Sequence, residues 1–224
     1  GQYRRAYNIG GLLHSQIGRV VRQLSYPFLA DDKQTEEKRL RLLIIASKFV
    51  LYGLSTLTAV LSIYIEEIVT FVYGEKWLPA ARYFVHLLPY AILWPLYHQW
   101  KGFIVAKGKI TVATKVDIAK LTVMLVGLAL LAGPYEILGV AWSVNTSILF
   151  GVVLMGISAF RGRLREIAAM SAPVCFVGAN LVGYLLLSDG YLLWLVATCA
   201  VFVWIERRDL LRGIRLFFER DNTA

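Results

Sequence analysis

Four stretches of this sequence carry almost no charge: 116–134, 137–160, 167–187 and 191–205. Nothing else in the chain limits its fold so sharply. An apolar run of about 18 or more residues crosses a hydrocarbon core of about 30 Å, because each helical residue rises about 1.5 Å. A soluble domain could bury one such helix. It could not bury four here, because too little polar sequence is left to coat them. Hydrophobic residues make up 58% of the chain and charged residues 17%, against about 45–50% and about 25% in soluble domains, so the apolar excess extends over the whole molecule. The sequence predicts an all-α, multi-pass transmembrane helical bundle.

About seven spans are expected, over 2–27, 42–65, 82–105, 116–134, 137–160, 167–187 and 191–205. The bundle then occupies 1–205, and 206–224 forms a basic amphipathic tail. In that tail Leu210, Leu211, Ile214, Phe217 and Phe218 share one face, with Arg208, Arg212 and Arg215 opposite, the pattern of a helix lying in the membrane interface. The first span is the most polar. Its Ile9, Leu12, Leu13, Ile17, Val20, Val21 and Leu24 keep helical spacing around a polar stripe.

The loops alternate in charge. Lys33, Lys38, Arg39 and Arg41 precede the second span, Lys107, Lys109 and Lys115 precede the fourth, and Arg161, Arg163 and Arg165 precede the sixth. The intervening loops hold Lys76 alone, or no Lys or Arg at all. Loops rich in Lys and Arg stay in the cytoplasm. This places the protein in the cytoplasmic (inner) membrane with its C-terminus cytoplasmic. The net charge of +9 is then mostly topological, and nucleic acid is not an expected partner. With seven spans, Gly1 would lie outside, so an odd number of further spans is expected upstream. Tyr73, Trp77 and Tyr83 form an aromatic belt on the outer side.

Motifs for covalent chemistry are missing. The sequence has no Gly-x-x-x-x-Gly-Lys-Ser/Thr phosphate loop, no His-Glu-x-x-His pair and no Gly-x-Ser-x-Gly elbow. His14, His86 and His98 are too dispersed for a metal site, and Cys175 and Cys199 sit in apolar runs as small hydrophobes. Neither enzyme activity, nor a cofactor, nor a metal is expected. Asp117 and Lys120 read as an i, i+3 pair near the inner end of a span, and Asn145 and Asn180 as residues that bond helix to helix.

Charged residues inside spans are costly and point to function by default. They concentrate in the first three spans. Arg5 and Arg19 are the deeper arginines of the first, while Arg4 and Arg22 can snorkel to headgroups. Lys48 lies two turns into the second, and His98 and Lys101 lie in the inner half of the third. Arg5, Arg19, Lys48, His98 and Lys101 are therefore the candidate substrate-binding residues of a basic cavity. Such a cavity suits an anion, and a diphosphate would take charge-assisted hydrogen bonds from several donors.

Several stretches resemble one family. Gly1-x-Tyr3-x-x-Ala6 opens a helix that ends at Pro27 and Asp31-Asp32, followed by Lys38-Arg39-Leu40-Arg41. Then come Val72-Tyr73-Gly74-Glu75-Lys76-Trp77-x-Pro79-Ala80-Ala81, Ala106-Lys107-Gly108-Lys109 and Gly133-Pro134-Tyr135-x-x-x-Gly139-Val140-Ala141. In this order they resemble the C-terminal half of polysaccharide biosynthesis proteins. These are lipid-linked oligosaccharide (O-antigen type) flippases of the multidrug/oligosaccharidyl-lipid/polysaccharide exporter superfamily. The resemblance implies the second half of a two-bundle transporter with alternating access. It implies a polyprenyl-diphosphate-linked oligosaccharide as substrate, with membrane lipids and other polysaccharide-assembly membrane proteins as partners. Alternative readings are a multidrug or cation exporter of the same superfamily, a membrane transferase acting on a polyprenyl substrate, and a non-catalytic membrane scaffold. An exporter of cations favours an acidic residue within the membrane. Near the spans the sequence offers only Glu66, Glu67 and Asp117, all at ends.

Overall fold

The computed structural model describes residues 35–161, 163, 168–186 and 195–207. The first expected span, with Arg5 and Arg19, lies outside them, as do residues 208–224 of the tail. Among the described residues every regular element is helical. These elements are α1 (Glu36–Ile63), α2 (Ile65–Tyr73), a 3₁₀ turn (Glu75–Trp77), α3 (Pro79–His86), α4 (Leu88–Ala106), α5 (Ile110–Ala159), α6 (Ser171–Leu186) and a helical segment α7 over 195–207. Two of them, α1 and α5, are long and apolar enough to cross a membrane.

Helix α1 starts six residues before the expected span. Thr35 caps it, its Oγ1 accepting from the Lys38 N–H at 3.4 Å, and Glu36 and Glu37 fill the first turn, where carboxylates suit the helix dipole. Hydropathy cannot register this polar first turn as helix. The region read as an outer loop, 66–81, also folds further than expected, into α2, the 3₁₀ turn and the start of α3. The third span is broken. Pro89, in the first turn of α4, has no N–H to give, and the chain steps between α3 and α4 at Leu87.

Helix α5 is a hairpin, not a rod. Pro134 precedes a reversal at Glu136, whose backbone (φ 48°, ψ −123°) is non-helical. The two arms, 110–135 and 137–159, then run back along each other. A Cβ on Gly127 would stand 2.9 Å from the Ser143 Oγ, and one on Gly139 would collide with the Leu131 carbonyl. These contacts are symmetric about residue 135. The reversal falls beside Gly133-Pro134, where the sequence placed a turn between two apolar runs.

The main core gathers Leu43, Leu51 and Leu54 of α1, Leu96, Tyr97 and Phe103 of α4, and Ile148 and Met155 of α5. Burying one such side chain stabilises by about 1.5–3 kcal/mol relative to water. Within a bilayer the corresponding gain comes from tight packing instead. On the far side of α1, α7 runs antiparallel. Ala59 clusters with Leu195, Thr56 Oγ1 lies 3.7 Å from Cys199 Sγ, the Tyr52 and Phe202 rings sit 6.2 Å apart, and Lys48 meets Glu206. Both partners step by three or four residues, as two facing helices must. Asn180 ties α6 to this pair. Its Nδ2 donates to the Ser55 Oγ at 3.5 Å, and its Oδ1 accepts from the Thr198 Oγ1 at 3.3 Å.

The basic loops meet at one end of the bundle. Glu36 accepts from Lys107 at 2.7 Å and lies 3.5 Å from Arg163, which joins the start of α1 to the α4–α5 turn and the exit of α5.

Candidate functional site

On α4, Trp94, Tyr97 and Lys101 recur at i, i+3 and i+7, so they share one face. That face meets Asp117 and Lys120, one turn apart on the first arm of α5. The Asp117 carboxylate accepts twice. Tyr97 Oη donates to Oδ1 and Lys101 Nζ donates to Oδ2, each at 2.5 Å. Lys120 turns away from Asp117. Its Nζ sits 4.3 Å from the Tyr97 ring centre and 4.9 Å from that of Trp94, over the electron-rich ring faces. Among the described residues no carboxylate lies within 4.0 Å of it.

The second arm of α5 closes over the cluster at Gly151. A Cβ there would lie 2.9 Å from the Lys120 Cδ and 3.0 Å from the Tyr97 ring, so a larger residue would push both aside. Lys120 stands ten residues into α5, about 15 Å above the basic end. Two lysines against one aspartate leave an excess positive charge. The Lys101 and Asp117 side chains are 31% and 35% exposed. Charges this exposed suit water or a polar ligand, because an apolar medium cannot solvate them.

The expected site residues are distributed as follows. Lys101 is in this cluster. His98 is beside it, its ring 4.5 Å from Trp94 and 5.5 Å from Tyr97. Lys48 is on another helix pair, donating to Glu206 at 2.7 Å with both side chains buried. Arg5 and Arg19 lie outside the described residues. Sequence reasoning missed Lys120 as a separate cation, because its i, i+3 neighbour Asp117 looked like its partner. It also missed Tyr97 and Trp94. The signal was there in Trp94-x-x-Tyr97-x-x-x-Lys101, a helical repeat ending on a charge. Glu206 was assigned to the tail because it is the first charge after an apolar run. Helix α7 continues through it and buries it.

The neighbouring face of α4 is apolar. Leu93, Leu96 and Trp100 line a cavity of about 890 Å³ with Val152 and Gly156 of α5 and Val174 of α6. Its polar lining is limited to Asn145, Thr146 and Ser171. The volume falls in the range of small-molecule sites, about 300–1,000 Å³. The lining offers almost no hydrogen bonds, so it suits hydrocarbon. Helix α4 thus separates a cationic cluster from an apolar cavity. Among the described residues no group of three or more His, Cys, Asp or Glu could hold a metal ion. Compared with known proteins, the chain matches no family model, no curated protein and no solved structure.

Proposed function

We propose that this chain is the membrane-embedded part of a flippase. In this reading it moves a polyprenyl-diphosphate-linked oligosaccharide across the cytoplasmic membrane, for cell-surface polysaccharide, by alternating access. The observation that carries the reading is the excess positive charge of Lys101 and Lys120 around Asp117, with an apolar cavity on the adjacent face of α4. An amphiphile with an anionic head and a long hydrocarbon tail uses both. The lysines supply charge-assisted hydrogen bonds to phosphate oxygens, and the cavity takes isoprene units. The family that the sequence resembles handles such a molecule. Arg5, Arg19 and His98 complete the proposed cavity, in a seven-span bundle with a cytoplasmic C-terminus, while Lys48 is taken up by Glu206.

The test is complementation by the full-length protein in a strain lacking its own lipid-linked oligosaccharide flippase. Wild type restores surface polysaccharide, and Lys120→Met reduces it at least about tenfold at equal membrane level. Wild-type failure with every glycan offered, or full activity of Lys120→Met, removes the reading.

One observation favours a second reading. Glu206 is an acidic residue buried in the bundle, which a cation exporter of the same superfamily would use. Efflux of a fluorescent organic cation that is lost in Glu206→Gln would establish it. Lys48 already neutralises Glu206, so the flippase reading stands first.

A further inference from the structure

Helices α2 and α3 have a small core of their own. Ile65 and Val69 of α2 pack on Ala81 and Phe84 of α3, with Leu88 at the start of α4 and Leu181 of α6 at the border, in a cluster distinct from the main one. Two backbone breaks bound this cap. Tyr64 interrupts the line of α1 and α2, and Leu87 that of α3 and α4.

The second break is filled by a side chain from another helix. In a continuous helix the Tyr90 N–H would bond the His86 carbonyl, four residues back. Here the Asn145 amide of α5 stands between them. Its Oδ1 accepts from the Tyr90 N–H at 3.1 Å, and its Nδ2 donates to the His86 carbonyl at 2.6 Å. The amide thus replaces one missing link of the backbone ladder with two bonds. Side chains inserted into a ladder, and prolines, are the usual causes of sharp kinks. This junction has both, since Pro89 follows Leu87 by two residues.

The same backbone groups have a second way to be satisfied. If α3 swings into line with α4, the Tyr90 N–H returns to the His86 carbonyl and Asn145 withdraws. The bent arrangement pairs both groups through Asn145, while the straight one leaves the Val85 carbonyl without the N–H that Pro89 lacks, so the bent state is the more stable of the two. We infer that the α2–α3 cap moves as one body about Tyr64 and Leu87, and that Asn145 is the clasp holding it in the bent state. The Asn145 side chain also borders the apolar cavity beside Pro89. The cap's position therefore sets the shape of that end of the cavity. The inference does not depend on which molecule is transported.

The test places spin labels at Leu78 in the cap and Tyr135 at the tip of α5, both exposed, on the full-length protein in lipid nanodiscs. Cys175 and Cys199 are first replaced by Ser. The distance distribution is then compared with those of Asn145→Ala and Pro89→Ala. The first removes the clasp and the second removes the ring that opposes a continuous helix. Both variants are expected to show a second, discrete distance, its population raised about tenfold or more over wild type, as the loss of one or two hydrogen bonds predicts. If Asn145→Ala fails to fold, Pro89→Ala still reads the hinge. Distributions identical to wild type overturn the inference. Broadening without a second distance also overturns it, because that is local fraying rather than a two-state hinge.

Discussion

Among the described residues two ion pairs lie inside this bundle, and they differ in one respect. Lys48 and Glu206 bond at 2.7 Å with side chains only 6% and 8% exposed. Lys101 and Asp117 bond at a similar distance, yet about a third of each side chain is open. The first pair is sealed between α1 and α7, so neither partner can exchange for a ligand without parting the helices. The second is open and has a further cation, Lys120, within its field. The two pairs therefore differ in what they leave available. A closed pair fixes which helices meet, and an open one leaves charge for something else to use.

The largest effect should come from unbalancing the sealed pair. Lys48→Ala leaves the Glu206 carboxylate buried without its partner, and thermal unfolding of the purified protein should show a loss of about 3–5 kcal/mol. Replacing both, as Lys48→Met with Glu206→Met, should restore most of it, because a buried pair and well-packed apolar residues come out about equal. A double variant as unstable as the single would mean that Lys48 has a role beyond Glu206.

Asp117→Asn comes next. It removes the charge behind two bonds and replaces one of the two accepting oxygens by an NH2 donor, and should cost about 1.5–3 kcal/mol, less than Lys48→Ala, because water reaches the lysine left behind. A loss equal to that of Lys48→Ala would erase the distinction between sealed and open. Lys120→Met should change stability by about 2 kcal/mol or less, the scale of partly desolvated cation–ring contacts, while transport falls at least about tenfold. That split between stability and activity is the sharpest form of the contrast. At the basic end, Lys107→Ala should cost about 1 kcal/mol or less and lose its effect in high salt, because the Glu36 side chain is 52% exposed.

What the sequence disclosed follows from how far each signal reaches along the chain. The α5 hairpin was legible because two long apolar runs flank a Gly-Pro turn, and all of it is local. The helical nature of the chain was legible for the same reason. The break at Leu87 was not, since hydropathy averages over Pro89 and the filling amide comes from Asn145, more than 50 residues away. The cluster was half legible. Lys101 stood out as a charge in a span, but the pairing of Asp117 with Lys101 rather than Lys120 depends on how α4 faces α5. The burial of Glu206 likewise depends on α7 lying against α1, which no local pattern encodes.

The most apolar window of α5 is only 6% buried by the rest of the protein. Leu121, Leu125, Leu130, Val153 and Ile157 all stand outward. For this hairpin the surrounding medium is half of the folded state. In a membrane, bilayer thickness and chain order would act on it as neighbouring residues act on a buried helix. Short-chain detergents, which match neither, should loosen α5 before α1, whose most apolar window is already half covered by protein.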